Sequence, residues 1–168
     1  EEQDGELLKR IKAIRRQLAL DFGYIVPPLH IKDNLELSPG EYSITIKGIE
    51  VARSELMMGN FLAMKTGEVD EEIAGIDTVE PAFGLPAIWI SEEDEERAQF
   101  AGYTVVDLPT VLATHLTEIL KNHAYEFIGR QETQKLIDTH AETEPKVVEE
   151  LIPSLISLGV VQKVLQNL

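Results

Sequence analysis

The sequence predicts a multi-subdomain α/β chain (α+β in its packing) that turns all-helical after Gly129, and three observations carry that reading. Tyr42, Ile44 and Ile46 alternate with Ser43, Thr45 and Lys47, the period of a half-buried strand. Residues 86–107 read as strand, helix, strand, a compact α/β piece. Beyond Gly129 strand patterns cease, and residues 131–138, 145–151 and 156–168 read as helices, so a domain boundary is expected there.

Taken in order, residues 6–20 carry Leu7, Leu8, Ile11, Ile14 and Leu18 at helical spacing, with Gly23 as a stop. The other face is basic, with Lys9, Arg10, Lys12, Arg15 and Arg16, either a solvated face or a contact with the acidic remainder of another copy. Residues 24–26 and 29–32 read as short strands divided by Pro27 and Pro28, and Pro39-Gly40 marks a turn. Gly48 interrupts the alternation, as at a bulge, and residues 49–56 continue extended. A junction at 57–60 leads to a strand at 61–65 and then to a polar, acidic loop at 67–77. That loop lacks the D-x-[DN]-x-[DN]-G spacing of a calcium site.

Pro81 and Pro86 cannot donate backbone hydrogen bonds, so residues 80–85 are expected to form a shaped loop ahead of a buried strand at 87–90 that holds the only tryptophan. Phe83 on that loop is either a core plug or a landing point for a partner. Residues 91–101 read as a helix: Ser91 and Asp94 make a capping-box variant, and Glu92, Glu93, Asp94, Glu95 and Glu96 suit the positive end of its dipole. Gly102 ends it, and a strand follows at 103–106. Asp107 and Pro109 open a long helix reaching about Phe127, whose apolar side holds Val111, Leu112, Leu116, Ile119, Leu120 and Phe127.

Composition bounds the function. The chain has 168 residues, 43% hydrophobic and 27% charged, as in ordinary soluble globular proteins. A net charge of −15 argues against nucleic acid and against an anionic membrane surface as partners. The absence of cysteine removes disulfides, thiol catalysis and thiolate metal sites and fits a cytoplasmic setting. No stretch approaches the roughly 18 consecutive apolar residues of a membrane span, and the charged start is not a signal peptide. Both ends read as cut rather than finished, since the chain opens into a helix and stops within a repeating apolar pattern.

The usual chemical signatures are missing. His115 and His123 share a helix without H-E-x-x-H, while His30 and His140 stand alone, so no metal site is expected. There is no G-x-S-x-G, P-loop or G-x-G-x-x-G, and therefore no nucleophile or cofactor loop; no cofactor is expected. What remains is an interaction surface: Glu80, Phe83 and Leu85 on one loop, with Thr114 on the following long helix. An aromatic floor rimmed by a carboxylate and a hydroxyl suits an incoming amphipathic anchor, with core packing as the competing reading.

Several segments converge on one family. I-K-D-N at 31–34, K-G-I-E-V-A at 47–52, V-E-P-A-F-G-L-P-A-I-W-I at 79–90 and G-Y-T-V-V-D at 102–107 resemble the FlhA family of flagellar type III export components. T-V-L-A-T-H-L at 110–116, G-R-Q-E at 129–132 and V-L-Q-N-L at 164–168 extend the resemblance, in order, over nearly the whole chain. It implies a fragment of the cytoplasmic part of an integral inner-membrane protein. Residues 1–58 with 108–127 would form a mixed-sheet first subdomain lacking its opening strand. Residues 59–107 would be a small α/β subdomain inserted into it, and 128–168 the start of a helical third.

The resemblance further implies a non-enzymatic docking platform that assembles into a nonameric ring and receives export chaperones with their substrates, alongside other export components. Its chaperone-binding dimple uses an Asp, a Phe and a Thr, which fall by motif on Glu80, Phe83 and Thr114. Glu80 departs by one methylene, so the charge survives on a longer reach. A virulence-type (injectisome) export gate is the near alternative. A helical nucleic-acid-binding module and a hydrolase-like or transferase enzyme are remoter ones, the first opposed by the charge and the second by the missing nucleophile.

Overall fold

The structure is a computed structural model describing residues 2–168, with side chains at position 5 and from position 7 onward. Among the described residues there are six α-helices and six strands in an α+β arrangement. They run α1 (Glu2–Phe22), β1 (Glu41–Ile46), β2 (Ile49–Glu55), β3 (Asn60–Met64), β4 (Ile76–Val79), β5 (Pro86–Ser91), α2 (Glu95–Phe100), β6 (Thr104–Val106), α3 (Leu108–Asn122), α4 (Arg130–Thr143), α5 (Pro145–Leu151) and α6 (Leu158–Leu165). The chain divides into two compact units, one built from the residues up to Leu8 with 31–119, the other from 9–30 with 120–168.

In the first unit, β1 and β2 form an antiparallel hairpin. Lys47 and Gly48 connect them, both with positive φ (51° and 82°), which matches the right-handed twist of the strands. Gly48 therefore belongs to the turn, and the irregularity expected there lies earlier, between Ile44 and Thr45.

The second sheet is four-stranded, β4-β5-β3-β6, and antiparallel throughout. Its two central strands are apolar on both sides because both faces are covered. On one face Ala63, Ile90 and Ile73 pack with Ala98, Ala101 and Tyr103 from α2 and the chain after it. On the other, Leu62, Ala87 and Trp89 pack with Val111 of α3. The period of two sends alternate residues of β5 into the two cores, which is why residues 87–90 read as a continuous apolar run.

The edge strand β4 was not legible in the acidic 67–77 stretch. Ile76 and Val79 remain 55% and 59% exposed, so the strand lacks an apolar face, while its main chain pairs with β5 from Ile76↔Trp89 to Val79↔Pro86. The loop before it is also anchored. Ile73 is buried, its N–H donates to the Tyr103 hydroxyl at 3.3 Å, and Val69 packs on the same core. The expected helix at 91–101 begins as a 3₁₀ turn over Glu92–Asp94 before α2 proper, and the Ser91 hydroxyl donates to the Asp94 carboxylate rather than capping a backbone N–H.

Residues 24–26 and 29–32 are not strands. Tyr24 and Val26 are buried, but their partners are not another strand: the Tyr24 hydroxyl donates to Ala124 O at 2.6 Å, and Arg15 Nη2 donates to Val26 O at 2.9 Å. The long helix ends at Asn122 and is followed by a 3₁₀ turn over Ala124–Phe127. The G-R-Q-E motif then starts α4. Glu132 Oε2 accepts from the Gly129 N–H at 3.0 Å, and the fully buried Thr133 hydroxyl donates to Gly129 O at 2.8 Å. The V-L-Q-N-L motif closes the same corner, Gln166 Nε2 donating to Ile128 O at 2.8 Å.

Leu62 is fully buried between sheet and α3, so Leu62→Ala is expected to cost about 2–5 kcal/mol in urea unfolding. Phe100→Ala, at a position 87% exposed, is expected to stay within about 0.5 kcal/mol of the unsubstituted chain.

Candidate functional site

The β4–β5 connection is built around one carboxylate. Where the strands end, the Glu80 N–H donates to Leu85 O at 2.8 Å and the Gly84 N–H to Glu80 O at 2.9 Å, which closes the loop into a tight tip. Pro81 has no N–H, so the next free donors are those of Ala82 and Phe83. Glu80 takes both: Oε1 accepts from Ala82 at 2.9 Å and Oε2 from Phe83 at 2.8 Å. The side chain is thereby held inward at 3% exposure with each oxygen occupied. Gly84 turns the chain back with φ +69°, a conformation that other residues adopt only at a cost.

The same fold of the loop turns Phe83 outward. At 59% exposure, with Leu85 beside it in sequence at 42%, Phe83 is no core plug. Thr114 lies half-buried on α3, immediately before His115. Glu80 and Phe83 are thus joined directly, through the Phe83 amide, while Thr114 stands on a separate element, α3.

The neighbour of Thr114 is weighed in the sequence only as a metal ligand, and its partner is not foreseen there. His115 is buried at 5% exposure, and its Nδ1 lies 2.7 Å from the hydroxyl of Tyr42 on β1. Burial pushes the Tyr42 phenol up to about 12; a hydrogen bond from the Ser54 side chain on β2 opposes this, and the charge of Glu80 adds to it. Burial likewise lowers the His115 imidazole below its ordinary value, while the Glu80 carboxylate acts in the opposite sense. A buried imidazole and a largely buried phenol thus share one hydrogen bond, and burial holds both toward their uncharged forms.

Two open clefts lie elsewhere on this unit. One of about 490 Å³ is lined by Asp70, Glu71, Glu93, Glu96, Arg97, Phe100 and Ala101, and one of about 280 Å³ lies along β4, between Ile76–Val79 and Met57. Neither is lined by Phe83 or Thr114. Both are shallow surface features, and the built geometry is at the loop. Among the described residues no group of His, Asp and Glu side chains can hold a metal ion, and no helix is long and apolar enough to cross a membrane.

The comparisons agree with the resemblance carried by the motifs. The family model described as the FHIPEP family matches residues 1–168. The chain is 53% identical over 166 residues to the flagellar biosynthesis protein FlhA of Bacillus subtilis, covering 99% of this chain and 24% of that protein. It is 46% identical over 167 residues to FlhA of Escherichia coli, again covering 99% of this chain and 24% of the relative. The chain therefore spans about a quarter of the length of these relatives. Among solved structures, the CdsV protein of Chlamydia pneumoniae superposes with a TM-score of 0.77 at 23% identity, covering 94% of this chain and 47% of that one. A nonameric SctV-C assembly of EPEC gives 0.64 at 17%, covering 96% and 49%. These distant structures share the fold.

The pH dependence of stability follows from His115. Because its folded value lies below the ordinary 6.5, the unfolded chain binds the proton more readily. The contribution of neutral His115 is fully present above about pH 6.5 and is lost as pH falls from there through the folded value. Urea midpoints measured from pH 7.5 downward are expected to fall more steeply in the unsubstituted chain than in His115→Asn.

Proposed function

The chain belongs to the FHIPEP family, and from that premise we propose that it is part of the export gate of a flagellar type III secretion apparatus, acting there as a docking platform and not as an enzyme. The observation that carries this is Phe83: an aromatic 59% exposed, held out from the protein by a loop whose own carboxylate is buried and saturated. A hydrophobic side chain presented on a pre-formed loop loses little entropy when a partner covers it. The partner class is an export chaperone carrying its substrate. Phe83 is the anchor, Thr114 on α3 is the polar rim, and Glu80 acts from beneath by fixing where the anchor stands.

The flagellar form of the gate is favoured over the injectisome form by identity: 53% and 46% to proteins named for flagellar biosynthesis, against 23% for the CdsV structure. In the gate the chain would lie on the cytoplasmic side of the inner membrane, in a ring of identical subunits. The nonameric assembly of one structural neighbour and the complex with CdsO formed by another support ring formation and contact with other export components.

A titration of the chain with flagellar export chaperones loaded with their substrates tests the platform, with the unsubstituted chain and Phe83→Ala melted alongside. Full cover of a Phe side chain is worth about 1.5–3 kcal/mol, so Phe83→Ala is expected to weaken binding roughly tenfold or more while melting as cooperatively as the unsubstituted chain. An unsubstituted chain that is folded and binds none of these complexes would overturn the reading.

We also infer that residues 59–107 form a subdomain inserted into one made of 1–58 and 108–127, with 128–168 opening a helical third. The sheet β4-β5-β3-β6, contiguous in sequence and closed on one face by α2, supports this division. Native-state hydrogen exchange is expected to show β3 to β6 opening as one block with a denaturant dependence separate from that of β1 and β2. Opening of all six strands together would count against it.

A further inference from the structure

We propose that the outer edge of β4 takes up an extended segment of a partner protein as an added strand, and that the segment it fits alternates apolar and basic residues. The inference goes beyond docking at Phe83 and does not rest on it.

β4 ends the order β4-β5-β3-β6, so within the sheet only one of its edges is paired. Which main-chain groups face the open side follows from the end of the ladder. The Glu80 N–H donates to Leu85 O, which makes Glu80 and Leu85 a hydrogen-bonded pair. Antiparallel pairs alternate between bonded and non-bonded, so Thr78↔Ala87 and Ile76↔Trp89 are the bonded pairs along β4. Asp77 and Val79 therefore turn their N–H and C=O groups away from β5. Pro86, opposite Val79, has no N–H and loses nothing by this arrangement. Edge strands are commonly blunted by lysine, proline or a bulge. β4 has none of these and carries Asp77 as its one charge.

A cleft of about 280 Å³ runs along β4, lined by residues 76–79 together with Ser54, Glu55, Met57 and Trp89. Ile76 and Thr78 stand opposite Trp89 and Ala87, and so share the face of the sheet that those two bury against Val111. Asp77 and Val79 belong to the other face. An added strand places every second residue beside Ile76 and Thr78, where Ile76 is 55% exposed and an apolar side chain covers it. The residues between fall beside Asp77 and Val79. Both ionisable residues that line the cleft, Glu55 and Asp77, are acidic, and a cation beside Asp77 makes a cross-strand pair of opposite charge. Main-chain bonds would then supply the hold and the alternation the selectivity. A second copy fits poorly. The strands of this chain carry Glu41, Glu50, Glu55 and Asp77 against Arg53 alone, and Arg53 is already paired with Glu41 and Glu50.

The test is amide-resolved hydrogen exchange on the 168-residue chain, alone and with a short capped peptide of alternating valine and lysine. A second peptide of the same sequence, with every main-chain nitrogen methylated, keeps the side chains and the charge but cannot donate to a ladder. In the free chain the Asp77 and Val79 amides are expected to exchange faster than those of Ile76 and Thr78. With the first peptide they are expected to slow severalfold, and with the second to stay as they were. Val79→Pro removes one outward donor and no bond to β5, so the slowing at Asp77 is expected to be lost. Equal slowing by both peptides would overturn the proposal, because charge alone would then be acting. Protection that gathers away from β4, or none at all, would overturn it as well. Slowing at Asp77 and Val79 that grows with protein concentration in the absence of peptide would overturn the choice of partner and assign the edge to a second copy. Should Val79→Pro unfold the chain, the two peptides on the unsubstituted chain decide. Chaperone binding is read separately, through Phe83→Ala, so docking there and strand addition here fail independently.

Discussion

A carboxylate with 3% exposure has to be matched by donors, because an ionised oxygen buried without partners costs several kcal/mol. Glu80 meets the requirement inside its own loop, and the rest of the site follows. Pro81 contributes no N–H, so the carboxylate closes onto the next two residues. Closing onto Phe83 through its backbone directs that side chain away from the carboxylate and into solvent. Gly84 brings the chain back to meet Glu80 O, in register with the Val79↔Pro86 pair that ends the sheet. One buried charge thereby fixes both the shape of the tip and the exposure of its aromatic.

The loop can be rigid because the strand after it is fixed on both faces. Ala87 and Trp89 enter one core, Ile88 and Ile90 the other, and β3 pairs with every residue from Ala87 to Ser91. This part of the fold was legible, since a short apolar run after two prolines reads as a buried strand. The edge strand β4 was not, because it is recruited by pairing and leaves its apolar side chains in solvent. The same distinction explains residues 24–32. Tyr24 and Val26 are buried while Ile25 and Ile31 are exposed, and the Arg15 side chain, not a neighbouring strand, takes up the Val26 carbonyl.

The site was half legible. The prolines and glycine announced a shaped loop, yet residue type alone left Phe83 undecided between core and surface, and only the hydrogen bonds of Glu80 decide it. His115 had a signal that was underused. Its helical spacing places it one turn from Val111, on the buried side of α3, and a buried imidazole needs a partner. Tyr42 had one too: the alternation that puts it on the inner face of β1 with Ile44 and Ile46 also carries its hydroxyl inward. What neither pattern could supply is the tertiary pairing of the hairpin with α3, which turns two separate burial signals into one hydrogen bond.

The departure at Glu80 from the Asp implied by the family resemblance can be weighed in these terms. A shorter carboxylate in this position accepts from the residues two and three ahead with little freedom to lose. Glu80 makes the corresponding bonds to Ala82 and Phe83 with an extra rotatable bond to immobilise, which raises the entropy cost of the closed loop. The extra methylene is itself buried, and burial of a CH₂ returns about 0.8 kcal/mol, the same order as that cost. The exchange is therefore close to neutral for the loop.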